Sequence, residues 1–246
     1  MNIENVYLGD CLDIMPTVIK DKSIDLILCD LPYGTTNCSW DSVIDLKRLW
    51  IEYERVIKDN GCILLFTQTP FDKLLGASNL KLLKYEWIWQ KTAPTGFLNA
   101  KKMPMKCHEN ILVFYKKLPI FNPIKTYNHP INNKSLKKAV TENKSEIYGR
   151  VTVDYMTGGT TDRYPIDVLK FPGDRLNRKL GFTHPTQKPL ALCEYMIKSY
   201  TNENDLVLDN CAGSGTSLLA AKNLKRNYIG IEKEQKYYDL ILKRLE

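Results

Sequence analysis

Two short stretches of this chain carry side chains in an order that turns alone seldom need. The apolar run Ile24 to Cys29 ends directly in Asp30, Leu31, Pro32, Tyr33 and Gly34, so an acid, a proline and an aromatic ring share the carboxyl edge of a predicted strand. Much later, Val207 and Leu208 lead into Asp209, Asn210, Cys211, Ala212, Gly213, Ser214, Gly215 and Thr216, which reads as strand, acid, glycine-rich turn, helix. Gly213 and Gly215 let a backbone approach a ligand closely, and a helix opening near Thr216 offers unpaired amides to a polar or negative group.

Three ligand classes can be weighed for the glycine-rich turn. A phosphate-binding P-loop carries Lys after its last glycine, whereas Thr216 and Ser217 stand here; a dinucleotide fingerprint needs glycine at 218, which is Leu218. Further on, Glu232 closes the next predicted strand, where a carboxylate accepts both hydroxyls of a ribose. A nucleoside ligand without pyrophosphate remains, S-adenosylmethionine being one. An ordinary tight strand-to-helix turn also accounts for Gly213 and Gly215 taken alone, and it is Asp209 and Glu232 that couple the turn to a ligand.

Elements that must position these groups are legible from periodicity. Apolar runs predict strands at Asn5–Leu8, Ile24–Cys29, Cys62–Thr67, Tyr85–Gln90, Ile111–Tyr115, Leu206–Asp209 and Tyr228–Ile231. Leu46, Leu49, Tyr53, Val56 and Ile57 recur at helical spacing with Gly61 as a C-cap, and Leu190, Cys193, Met196, Ile197 and Tyr200 make a second stripe behind Pro189. Such alternation predicts an α/β fold with a mostly parallel sheet, whose ligands collect at the carboxyl ends of the strands. The rhythm breaks between Leu118 and Phe182, a stretch rich in Asn, Lys, Thr, Gly and Pro.

Composition excludes several classes. The chain has 246 residues, of which 43% are hydrophobic, enough for one domain with an insertion. No apolar run reaches the roughly 18 residues of a membrane helix, and the start lacks a signal-peptide pattern, so the expectation is a cytoplasmic protein without a membrane. Seven scattered cysteines include no CxxC pair, and three histidines stand far apart, His184 reading as structural; no metal site or disulfide framework is expected. The formal net charge is +7, and Lys117 to Thr183 alone holds twelve Lys/Arg against six Asp/Glu. That segment suits a polyanion, or a solvated lysine-rich surface.

With these residues in view, DLPYG at 30–34 resembles the (D/N/S)-P-P-(Y/F) catalytic loop of the DNA amino-methyltransferases, and DNCAGSGT at 209–216 resembles their S-adenosylmethionine loop. The catalytic loop precedes the cofactor loop, as in the beta-type circular permutation of that family. YLGDCLDIM (7–15), NAKKMPMKCHENILVFYKK (99–117) and THPTQKPLALCEYMI (183–197) resemble further motifs in the same order. The resemblance implies a Rossmann-like methyltransferase fold, a twisted sheet with helices on both faces. It divides the chain into a catalytic half at 1–117, a DNA target-recognition insertion at 118–182 and a cofactor half at 183–246.

The resemblance also implies roles. Asp30 and the backbone carbonyl of Leu31 would accept the two N–H bonds of an exocyclic amine, directing its lone pair at the methyl-bearing sulfonium, while Tyr33 stacks on the extruded base and Pro32 stiffens the loop. Leu31 replaces the family's first proline but keeps the carbonyl. Aspartate at position 30 favours adenine N6; serine is commoner among cytosine-N4 enzymes, the alternative beside an inactive DNA-binding relative. Asp10 would meet the cofactor's adenine, with Cys11 beside it; Thr186 and Lys188 would hold its methionine end; Asp209 would touch it or cap the loop, with Ala212, Ser214 and Thr216 around it and Glu232 on the ribose. Lys134, Lys137, Lys138, Lys144 and Arg150 would meet phosphates of double-stranded DNA, and Arg163, Arg175 and Arg178 would suit guanine edges. A homodimer and a cognate restriction endonuclease are further partners the resemblance suggests.

Overall fold

The structure is a computed structural model and describes residues 3–34, 42–131, 143–145, 149–151, 160–173 and 187–246, those at 143–145 and 149–151 by backbone alone. Two compact units emerge, one of Met1–Asn122 with Ile166–Glu246 and one of Pro123–Pro165. In chain order the described strands are β1 (Glu4–Leu8), β2 (Ile24–Asp30), β3 (Ile57–Thr67), β4 (Leu83–Thr95), β5 (Lys106–Phe114), β6 (Asn143–Ser145), β7 (Gly149–Val151), β8 (Val168–Phe171), β9 (Leu206–Asp209) and β10 (Asn227–Glu232). The helices are α1 (Cys11–Val18), α2 (Leu46–Val56), α3 (Phe71–Ser78), α4 (Leu190–Tyr200), α5 (Thr216–Asn223) and α6 (Gln235–Leu245).

Eight strands form the sheet of the larger unit, in the order β1-β10-β9-β2-β3-β5-β4-β8. Only β5 runs against its neighbours; the other pairings in this sheet are parallel. The permuted order is visible in the register. Leu8 of β1 lies opposite Glu232 of β10, and Leu26 of β2 lies opposite Val207 of β9, so the strand of the DLPYG loop and the strand of the glycine-rich loop are neighbours at the centre.

Side-chain alternation along the central strands sends residues to two faces. Ile27, Cys29, Ile63 and Leu65 pack against Met15 of α1, Leu49, Tyr53 and Val56 of α2 and Leu75 of α3. Leu26, Leu28, Leu64 and Phe66 pack on the other side against Met196 of α4, Leu218 of α5 and Ile241 of α6. The periodicity that marked α2 and α4 is the periodicity of their buried stripes. Among the described residues no helix is long and apolar enough to cross a membrane.

Two expectations change. The helical stripe does not extend to Gly61: the Ile57 amide donates to the Tyr53 carbonyl to close α2, and the chain turns at once into β3. Gly61 sits where β3 passes close to β2, with a hypothetical Cβ only 2.9 Å from the Asp25 carbonyl oxygen. In addition, β8 lies within the stretch that broke the sequence rhythm, yet it pairs with β4 in the main sheet, Ile88 opposite Val168 and Lys91 opposite Phe171. The smaller unit has its own pairing of β6 with β7 and of Thr126 with Arg163.

Candidate active site

Parallel strands place their carboxyl ends on one edge, and along that edge lies a cavity of about 390 Å³, within the usual range of small-molecule sites. It collects the residues following β1 (Gly9 to Leu12), the end of β2 with its loop (Asp30 to Tyr33), Gln68 after β3, the glycine-rich segment after β9 (Asp209 to Ser214) and Glu232 to Glu234 at β10. Because β5 is reversed, the beginning rather than the end of that strand reaches the same edge, bringing Glu109. Of the described residues expected to react or to bind the cofactor, all but Gly215 line this cavity. Thr186 lies outside the described residues.

The glycine-rich segment is held from behind. Gly213 and Gly215 have φ of 52° and 72°, the left-handed region that glycine enters freely, and a Cβ on Gly215 would come within 3.0 Å of Ile241. Arg244 of α6 donates to the Ser214 carbonyl at 2.9 Å and to the Thr216 hydroxyl at 2.9 Å. Asp209 accepts the Cys211 amide at 3.1 Å through Oδ1 and the Ser217 hydroxyl through Oδ2. Of the two roles expected for it, the geometry supplies the cap. Burial pushes its carboxyl up to about 6, with Ser217 and Cys211 opposing the rise. Asn210 takes the Tyr53 hydroxyl at 2.6 Å and ties the loop to α2.

Glu232 is 7% exposed, and each carboxylate oxygen accepts one backbone amide, Gly213 N at 2.7 Å on Oε2 and Glu234 N at 2.8 Å on Oε1. A carboxylate has about four lone-pair sites, so one on each oxygen remains for a pair of hydroxyls. Burial raises its pKa, against the pull of those amides. Asp10 caps α1 through the Leu12 amide at 3.0 Å, and Lys233 Nζ stands 3.1 Å from its Oδ2. Burial works to raise Asp10, yet the amide and Lys233 leave it below the ordinary value. Cys11 is the first residue of α1 and almost fully buried. A nucleoside carrying a cationic sulfonium fits this donor set: a glycine cradle, acids at both ends and no lysine of P-loop type.

The reacting end is a charged cluster. Asp30 accepts the Tyr33 hydroxyl at 2.7 Å on Oδ1 and the Lys188 ammonium at 2.5 Å on Oδ2. Lys188 also stands 3.4 Å from Glu109 Oε2, and Lys91 holds Glu109 Oε1 at 2.6 Å. Tyr33 stacks on Phe71 with centroids 5.4 Å apart, and Lys188 lies over the rings of Tyr33 and Phe66. Burial pushes the Asp30 carboxyl up, the Lys188 charge pulls it back, and Glu109 adds to the rise. Burial would lower Lys188, but Asp30 and Glu109 overcome it and keep the ammonium charged. Leu31 is buried and Pro32 half-buried beside them.

Lys188, expected at the cofactor's methionine end, is thus bonded to Asp30, and the sequence reading did not single out Glu109, Lys91, Arg244 or Lys233. A glutamate opening an apolar strand, HENILVF, was the available signal for Glu109. Among the residues expected at DNA, Lys134, Lys137, Lys138, Arg175 and Arg178 lie outside the described residues, and Lys144 pairs with Arg150 across β6 and β7. Arg163 donates to the carbonyls of Thr160, Asp162 and Pro130 at 3.1, 2.7 and 2.6 Å, which engages three of its five N–H donors within its own unit.

The sequence model of the N6/N4 methyltransferase family, described as DNA methylase, matches residues 24–243. The chain is 29% identical to the Type II methyltransferase M2.MboI of Moraxella bovis, over 98% of this chain and 86% of that protein. It is 30% identical to the DNA adenine methyltransferase YhdJ of Escherichia coli (strain K12), over 99% and 83% of the two. The crystal structure of the M1.HpyAVI–SAM complex matches with a TM-score of 0.64 at 28% identity, covering 98% of this chain and 99% of that one.

Proposed function

This chain belongs to the N6/N4 DNA methylase family, whose methyl donor is S-adenosylmethionine, and from that premise we propose that it methylates N6 of adenine at a defined site in duplex DNA. The observation that carries the reading is Asp30, an acid at the carboxyl end of β2 in a cavity whose other wall is the glycine-rich loop with Glu232. When bound, the cofactor supplies a methyl group activated by its sulfonium.

The chain's own part is positioning and charge. An exocyclic amine is a poor nucleophile because its lone pair is delocalised into the ring. Asp30 and the Leu31 carbonyl accept its two N–H bonds, which favours a pyramidal nitrogen with the lone pair free for in-line attack. Asp30 already receives Tyr33 and Lys188, and each oxygen retains a lone pair for the amine. With the methyl group delivered and the thioether as leaving group, the amine nitrogen would become cationic and shed one proton, for which the Asp30 carboxylate would be the acceptor. Glu232 would hold the ribose of the cofactor, and Asp10 its adenine. A base inside the duplex cannot reach this cavity, so the target leaves the stack.

Adenine is favoured over cytosine by Asp30 and supported by the likeness to a protein named as an adenine methyltransferase. The basic stretch from 118 to 182 serves target recognition, and the methyl mark serves a restriction–modification pair with an endonuclease of the same site. Nucleoside mass spectrometry on unmethylated DNA incubated with the protein and S-adenosylmethionine tests this. N6-methyladenine from the wild type and none from Asp30→Ala is expected; N4-methylcytosine would overturn the base, and full activity of Asp30→Ala the mechanism. Mapping modified positions then defines the site.

A further inference from the structure

The connection between β4 and β5 departs from the rest of the larger unit in what it exposes. Phe97, Leu98 and Met103 are 79%, 97% and 55% exposed, on a chain that has abundant core to bury such side chains in. Water-facing apolar residues clustered on one turn mark a contact surface. Gly96, at φ 90°, turns the chain into the short 3-10 segment Phe97–Asn99, which presents the two side chains together.

The charge on the same loop is of one sign. Between Gly96 and Lys106 stand Lys101, Lys102 and Lys106 and no acid. The loop extends from the carboxyl end of β4, the edge that holds the cavity. Lys106 reaches Gln68 at 3.4 Å, and Gln68 and Glu109, the latter just beyond the loop on β5, line the cavity itself. The loop therefore leaves the sheet at the edge that holds the cavity, with Lys106 in contact with a residue of its lining.

We propose that this loop is the element that enters the duplex, Phe97 and Leu98 filling or wedging the space that the target base vacates while Lys101 and Lys102 neutralise the flanking phosphates. The proposal rests on the methyltransferase reading above. Apolar wedges between base steps and lysines on phosphates are the two contacts that stabilise an opened duplex, and both residue types occur here on one loop that leaves the cavity edge of the sheet. The occupant is double-stranded DNA with one base displaced; a protein partner would have no use for the adjoining base-sized cavity.

The test compares Phe97→Ala/Leu98→Ala with the wild-type full chain on duplexes carrying the mapped target adenine, either paired or mispaired. A mispaired base costs less to extrude. kcat/KM on the paired duplex is expected to fall about tenfold or more, the deficit to shrink to about twofold on the mispaired one, and Phe97→Trp to restore the paired rate. Fluorescence of 2-aminopurine at the target should drop in parallel, with S-adenosylmethionine affinity by calorimetry unchanged. Lys101→Gln/Lys102→Gln should instead lower the salt dependence of binding and lose the same factor on both duplexes. Equal rates for the alanine variant and the wild type on paired DNA, or an equal deficit on both duplexes, would overturn the proposal. A wild type that methylates neither duplex would sink the methyltransferase reading and this proposal with it.

Discussion

In the proposed mechanism Asp30 acts only while it is ionised, and its surroundings bear on that point in both directions. Burial and Glu109 push its carboxyl up, Lys188 pulls it down, Tyr33 binds it as a donor, and among the described residues Asp209, Cys29 and Cys193 also couple to its charge. Removing the Lys188 charge leaves the upward pushes unopposed. In Lys188→Met the acid limb of the kcat–pH profile should therefore move to higher pH, each unit of movement costing roughly tenfold below the limb. Lys188→Arg, which keeps the charge, should hold the limb near its wild-type place. A profile unmoved in Lys188→Met, with only the KM for S-adenosylmethionine raised, would return Lys188 to the cofactor's methionine end. Asp209 gives a second prediction at this scale. Its folded pKa, about 6, lies above the ordinary value of 3.8, so the native state binds the extra proton between them and stability falls as pH rises through that window. Asp209→Asn should flatten this part of the Tm–pH curve, the wild type losing up to roughly 3 kcal/mol more from pH 4 to 7. Parallel curves would show that the raised carboxyl is not what the structure indicates.

At the scale of elements, the glycine-rich turn depends on helices that follow it in the chain. Gly215 sits at φ 72° with Ile241 of α6 3.0 Å from any Cβ, and Arg244 binds the same turn. Gly215→Ala thus meets both backbone strain and a clash, and is expected to cost about 1–2 kcal/mol and to weaken S-adenosylmethionine binding, read by thermal melting and calorimetry. An unchanged melting temperature would show that α6 moves aside. Elements of this kind were legible where burial writes a pattern: the central strands are continuous apolar runs because helices cover both faces, and α2 and α4 show their stripes. The strand β8 was not legible, since Val168–Phe171 offers four residues of which two are exposed. Nor was the Lys188–Glu109 contact, because only the reversed direction of β5 brings Glu109 to the cavity edge, and no spacing along the chain encodes that. Asp30, Gly213, Gly215 and Glu232 were visible because strand ends and left-handed turns leave local marks.

For the whole molecule, the surplus of positive charge decides how DNA is approached. Twelve Lys/Arg against six Asp/Glu between Lys117 and Thr183 account for nearly all of a net charge of +7, so the attraction to phosphate is concentrated in one quarter of the chain. Arg163 donates to carbonyls of its own unit, while the lysines of this stretch are eight of its twelve basic residues, beside Arg150, Arg175 and Arg178. Each lysine that neutralises a phosphate releases a counterion and adds about 0.9 to the salt slope of duplex binding. Lys134→Gln/Lys137→Gln/Lys138→Gln should then flatten log K against log salt by up to about 2.7, and weaken target and non-target DNA by the same factor, because phosphates carry no sequence. Fluorescence anisotropy across a salt series on both DNAs reads this directly. A loss confined to the target duplex would place these lysines at base edges and make the stretch a direct reader of sequence; an unchanged slope would make it a solvated surface and shift the DNA contact to the loop between β4 and β5.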